Sequence, residues 1–144
     1  MEIVIRRCVL SDSDSLYKLN SNEMGYFYPA EQTSNQLSTI LNNSTNAVFV
    51  AVNGGEVIGY IHGAVYNVLY ADPMVNVLGI AVCEQYRRMG VGRALLDALE
   101  NWALENGISS MRLTSGAERT SAHEFYKKCG YVLKKSQLNF KKNI

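Results

Sequence analysis

The chain has 144 residues, 47% of them hydrophobic and 19% charged, and a formal net charge of +1. That describes one ordinary domain over residues 1–144, long enough to bury a core. The balanced charge leaves no footprint for a nucleic-acid partner, and no apolar run approaches the length of a membrane span.

Glu2–Arg6 alternates apolar and polar residues and predicts a strand. Ser11 stands three positions before Asp14, a start signal for a helix carrying Leu16 and Leu19 on one face. Pro29 opens a second helix through Leu37, Ile40 and Leu41, which ends in the polar loop Asn42–Asn46. Ala47–Val52 and Glu56–Val65 flank Asn53-Gly54-Gly55, a hairpin signal, because both central residues of a type I′ turn need positive φ. Met74–Val82 is almost continuously apolar and reads as a central strand. Val91, Leu95, Ala98, Leu99 and Trp102 form one helical stripe, closed by Gly107. Ser110–Thr114 predicts a strand, and Thr120–Cys129 a short helix ended by Gly130. Tyr131–Lys142 is expected to hold two short strands. The order β-α-α-β-β-β-α-β-α-β-β implies an α/β mixture around one mixed sheet.

Between the central strand and the third helix lies E-Q-Y-R-R-M-G-V-G-R-A-L-L, Glu84–Leu96. A helix N-terminus carries unpaired N–H groups and partial positive charge. Glycines there admit an anion to the backbone, and arginine forks suit phosphate. The stretch therefore reads as a pyrophosphate cradle, or equally as a turn with solvated arginines. It is not a Walker A loop, and Leu95 fills the place of the third glycine of a dinucleotide fingerprint. A second constellation, S-A-H-E-F-Y-K-K-C-G-Y, runs from Ser121 to Tyr131. The Tyr126 phenol, with an ordinary pKa of about 10, stays protonated at neutral pH and suits a proton donor. Taken alone, a core aromatic with a wet hydroxyl explains it better. Cys8, Cys83 and Cys129 are scattered, without C-x-x-C or a Cys/His cluster. They read as packed, reduced thiols of a cytoplasmic protein, and no metal is expected.

Together the two motifs resemble one family, the GCN5-related N-acetyltransferases (GNAT). Arg87-x-x-Gly90-x-Gly92 matches its acyl-CoA signature [QR]-x-x-G-x-[GA]. Ala122-x-x-Phe125-Tyr126-x-x-x-Gly130-Tyr131 matches its late A-x-x-F-Y-x-x-x-G-[FY] pattern. The resemblance implies a single-domain GNAT-like fold, with a mixed central sheet of about seven strands flanked by about four helices. It implies that acetyl-CoA is the co-substrate, its pyrophosphate lying on Arg87, Arg88, Met89, Gly90, Val91, Gly92 and Arg93. The pantetheine arm would follow Leu78–Val82, where Gly79 would permit the required bulge. Backbone N–H groups at Ile80, Ala81 and Val82 would face the thioester carbonyl, and His123 the cofactor.

The reaction implied is direct acetyl transfer, in a ternary complex, to an amine of a small molecule or peptide, with Tyr126 protonating the leaving thiolate. Glu23 is the first candidate base, with Asp72, Glu84 and water beside it, and His62 as a relay. Dimers are common in the family, which leaves a homodimer open. The competing reading is a non-catalytic acyl-CoA sensor or regulatory module.

Overall fold

The computed structural model describes residues 2–144. The chain divides into two compact units, one ending at Leu113 and the other beginning at Thr114.

The first unit contains β1 (Ile3–Arg7), α1 (Ser13–Glu23), α2 (Ala30–Leu41), β2 (Asn46–Asn53), β3 (Glu56–Val68), β4 (Ala71–Val82), α3 (Val91–Glu105) and β5 (Met111–Leu113). The strands form one sheet in the order β1-β2-β3-β4-β5. The first three pairings are antiparallel and β4–β5 is parallel, so the sheet is mixed as expected. On one face Leu16 and Leu19 of α1 and Leu37 of α2 bury against Val48, Val50, Tyr60 and Ala81. On the other, the α3 stripe fills the core: Leu95 and Leu99 are fully buried, each worth about 1.5–3 kcal/mol of transfer free energy. Leu99 lies directly on Gly63, where an added Cβ would fall 2.6 Å from its side chain.

The β2–β3 hairpin turns on Gly54-Gly55, at φ 56° and 83°, with Asn53 opposite Glu56. Asn53 is thus the last ladder residue, and the glycine pair takes both left-handed positions. The first helix is preceded by a 3-10 turn, Leu10–Asp12, and Asp12 rather than Ser11 anchors it. The Asp12 carboxylate accepts the Val9 N–H at 2.9 Å and both Arg6 Nη groups at 2.8 and 2.9 Å.

The second unit contains α4 (Thr120–Lys128), with Gly130 at φ 93° just beyond it. Residues 131–144 form no strand, so the described sheet has five strands and not about seven. Four lysines and the polar run Ser136-Gln137 interrupt the apolar alternation there. Every residue from 132 onward is exposed, so neither expected strand has a buried face to hold it. The helix count agrees with expectation: four α-helices among the described residues.

Candidate active site

The β4–α3 connection begins with a 3-10 turn, Glu84–Tyr86, and continues as a tight turn over 87–90. Arg88 holds φ 65°, a conformation uncommon for a side-chain-bearing residue, and Gly90 holds φ 83°. Left-handed residues in a turn aim N–H groups into a concavity that suits an anion. Gly90 is also the N-cap of α3 and contributes no side-chain cap, so the first-turn donors of the helix are not covered from that position. Arg88 and Met89 are exposed, Val91 is buried and Gly92 is half-buried. Sequence and backbone geometry thus converge on one turn.

Beside it, β4 carries a defect. His62 pairs with Gly79 and Gly63 with Val77, so Leu78 is an extra, bulged residue on β4. Gly79 lies under the Tyr60 hydroxyl, 3.1 Å from where a Cβ would stand. The parallel ladder to β5 ends at Val77 and Leu113, whereas β4 goes on pairing β3 as far as Val82. Beyond Val77, the other edge of β4 therefore has no strand partner among the described residues. Ile80, Ala81 and Val82 belong to that open segment, opposite Ile61, Tyr60 and Gly59 on β3. An extended polar chain can join such an edge as an added strand.

Glu23 and Arg87 are brought together. Arg87 Nη2 donates to Glu23 Oε1 at 2.9 Å, and its Nε donates to the Val82 carbonyl at 3.2 Å. The Glu23 side chain is 13% exposed and that of Arg87 50%. One arginine thus links the last residue of α1, the end of β4 and the start of the turn. Asp72 and Glu84 are exposed.

His62 stands on β3 two residues after Tyr60, and its Nε2 lies 2.7 Å from Asn46 Oδ1. An amide oxygen accepts, so Nε2 carries the hydrogen and Nδ1 the lone pair. Burial lowers the pKa of His62 and keeps the ring neutral. Tyr60 donates to Asn20 Oδ1 of α1 at 2.6 Å. A cavity of about 270 Å3 opens beside these groups, between Leu37, Ile40 and Val48 and the polar Asn20, Tyr60 and His62, and no acidic residue lines it.

In the second unit Tyr126 is half-buried, with Phe125 and Tyr131 rings at 5.4 and 6.2 Å between centroids. Burial raises its pKa, which holds its proton more firmly at neutral pH. His123 Nε2 lies 2.9 Å from the Gly116 carbonyl, close to the start of α4. Cys8 is a buried thiol whose pKa is pushed up to about 12, chiefly by desolvation, and this makes it a poor nucleophile.

One cluster was not singled out by sequence reasoning. Arg112 on β5 donates to Asn76 Oδ1 on β4 at 3.1 Å and stacks over the Tyr66 ring of β3 at 4.2 Å. The available signal was a lone arginine between Met111 and Leu113, but its neighbours depend on strand register.

This element order, around a mixed sheet with a left-handed turn after the central strand, matches the α/β arrangement expected of an acyl transferase. Comparison with known proteins specifies it. Residues 13–131 match the Acetyltransferase (GNAT) family. An N-alpha-acetyltransferase from Sulfurisphaera tokodaii is 33% identical over 138 residues, covering 90% of this chain and 80% of that protein. An aminoglycoside N(6')-acetyltransferase type 1 from Stenotrophomonas maltophilia is 27% identical, covering 88% and 84%. In fold, the chain superimposes on AAC(6')-Iy bound to the bisubstrate analogue CoA-S-monomethyl-acetylneamine, with a TM-score of 0.88, 21% identity and full coverage of both chains. The chain belongs to the acetyltransferase (GNAT) family. It is an acetyl-CoA-dependent N-acetyltransferase, whose acceptor is an amine. Among the described residues no group of His, Cys, Asp and Glu is arranged to hold a metal, and no helix is long and apolar enough to cross a membrane.

Proposed function

We propose that the turn from Arg87 to Arg93 grips the diphosphate of acetyl-CoA while its pantetheine arm joins the open edge of β4 along Leu78–Val82. The observation that carries this reading is a coincidence on one strand: a bulge at Leu78, an edge without a ladder partner beyond Val77, and a left-handed turn at its end. In this reading Arg87, Arg88 and Arg93 supply charge, and the backbone of Met89, Gly90, Val91 and Gly92 supplies donors. His123 and Tyr126 complete the cofactor contacts. The N–H groups of Ile80, Ala81 and Val82 face the thioester oxygen, where negative charge grows as the amine attacks.

The amine nitrogen forms a bond to the thioester carbon, the C–S bond breaks, and the Tyr126 hydroxyl gives its proton to the departing sulfur. The proton lost by the amine passes to Glu23, directly or through water, once Arg87 turns from that carboxylate to the diphosphate. The whole chain acts as one catalytic domain, a reading supported by a family match that crosses both compact units. The acceptor is an amine of a small molecule or peptide, in keeping with the amine-acetylating names of the relatives. Three cysteines at scattered spacing, without C-x-x-C, support a reducing compartment such as the cytoplasm. Exposed Val132, Leu133, Leu138 and Phe140 support a homodimer, which light scattering checks.

Initial rates of thiol release, varied in both substrates, test the mechanism. Intersecting double-reciprocal lines are expected, and parallel lines would replace direct transfer by an acetylated enzyme. Tyr126→Phe is expected to lower kcat by roughly 100-fold or more with acetyl-CoA binding retained. An unchanged kcat removes Tyr126 from the role.

A further inference from the structure

The face of the sheet that carries Tyr60 also carries a row built from four strands. Asn46 of β2 pairs with Ala64 of β3, Ala64 with Asn76 of β4, and Asn76 with Arg112 of β5. His62 and Tyr66 flank Ala64 on its own strand and share its face, because strand side chains alternate. Ala64, with its small side chain, is therefore the floor of a patch rimmed by His62, Asn46, Asn76, Tyr66 and Arg112. All of these are half-buried rather than fully exposed. The rim is neutral apart from Arg112, and His62 is held uncharged by burial.

Arg112 is fixed from two sides, by the Asn76 amide and the Tyr66 ring. Neither partner carries a negative charge, and no Asp or Glu among the described residues forms an ion pair with it. Elsewhere the chain pairs such charges: Arg6 with Asp12, and Arg87 with Glu23. A guanidinium held over a ring and by an amide oxygen, with no carboxylate of its own, offers its remaining donors to an incoming one. The adjoining cavity likewise has no acidic lining to receive a second cation. Asn76 and the bulged Leu78 are separated by about 7 Å of strand, at roughly 3.3 Å per residue.

Resting on the N-acetyltransferase reading above, we propose that Arg112 is a specificity-determining residue that binds a carboxylate of the acceptor. The acceptor is then an amine carrying a carboxylate a few bonds away, as a free amino acid does, and not a polycation. Tyr66 and Asn76 are positioning residues that hold the fork.

The test compares the common L-amino acids with their C-terminal amides as acceptors, with spermidine and phosphoethanolamine as further arms. Thiol release gives KM and kcat, and calorimetric titration of each probe into the protein–CoA complex gives binding without turnover. The expected result is that the preferred amino acid exceeds its amide by roughly 10- to 100-fold in kcat/KM or affinity. In Arg112→Met that ratio collapses toward unity through KM, with CoA affinity unchanged. Arg112→Lys, which keeps charge without the fork, restores part of it. Equal use of acid and amide by the wild type, a ratio unmoved in Arg112→Met, or preference for spermidine each overturns the proposal. Preference for phosphoethanolamine over every amino acid overturns the carboxylate assignment. Failure of the enzymatic reading has a different signature: no thiol release from any amine, while calorimetry still reports whether the carboxylate binds and whether Arg112 is responsible.

Discussion

The β4–α3 turn and the Arg112 patch lie on the same small sheet but are built from different material. The turn is made of backbone: two left-handed residues, a glycine N-cap and the first N–H groups of α3. The patch is made of side chains from four strands, brought together by register alone. A backbone device tolerates many side chains but not a changed φ. A side-chain device tolerates backbone variation but not the loss of one fork. Selectivity for the cofactor and for the acceptor should therefore fail separately.

The sharpest way to break that separation is Gly90→Val. A β-branched residue at φ 83° costs about 1–3 kcal/mol of strain or forces the turn to move. The expected outcome is a loss of acetyl-CoA affinity of roughly 10- to 100-fold, measured calorimetrically, with the amino acid to amide ratio of the acceptor kept. A smaller effect is expected at the link between the two regions. Glu23→Gln keeps the shape but removes the ion pair to Arg87, a half-exposed contact worth about 1 kcal/mol or less. If Glu23 only anchors, acetyl-CoA binding changes by no more than about fivefold and kcat holds. With Glu23 also taking the amine's proton, as proposed above, kcat is expected to fall as well.

The smallest effect serves as a control remote from both regions. Arg6, through its hydrogen bonds, holds the Asp12 carboxyl below the usual carboxylate range. The stabilisation it brings is present above the ordinary carboxylate pKa of about 4 and is lost as pH falls through the lowered folded value. Asp12→Asn is expected to reduce the urea midpoint at pH 7 and flatten its fall below about pH 4, leaving both substrate constants unchanged.

What the sequence made legible follows the same division. The Gly90 turn was readable because glycine spacing after an apolar strand maps directly onto allowed φ, and the structure puts Gly90 in the left-handed region. The α3 stripe was readable because Leu95, Leu99 and Trp102 recur at helical period, and all three are buried. Arg112 was not readable. Its significance depends on lying beside Asn76, 36 positions earlier, and over Tyr66 on a third strand. The two strands expected after Tyr131 failed for a related reason. A short alternating pattern predicts pairing only where a buried face exists to receive it, and Leu138 and Phe140 are exposed. The Glu23–Arg87 contact was equally hidden, because 64 positions separate the two residues and no motif spans them.

The parallel ladder between β4 and β5 is three residues long, and its partners are separated by the whole of α3. Contacts so distant along the chain bring their reward only after the intervening loop has closed. This seam should therefore zip up late during folding and exchange its amide hydrogens early in the native state. Discrimination between acceptors would then be the last faculty a newly made molecule acquires and the first it loses on gentle warming.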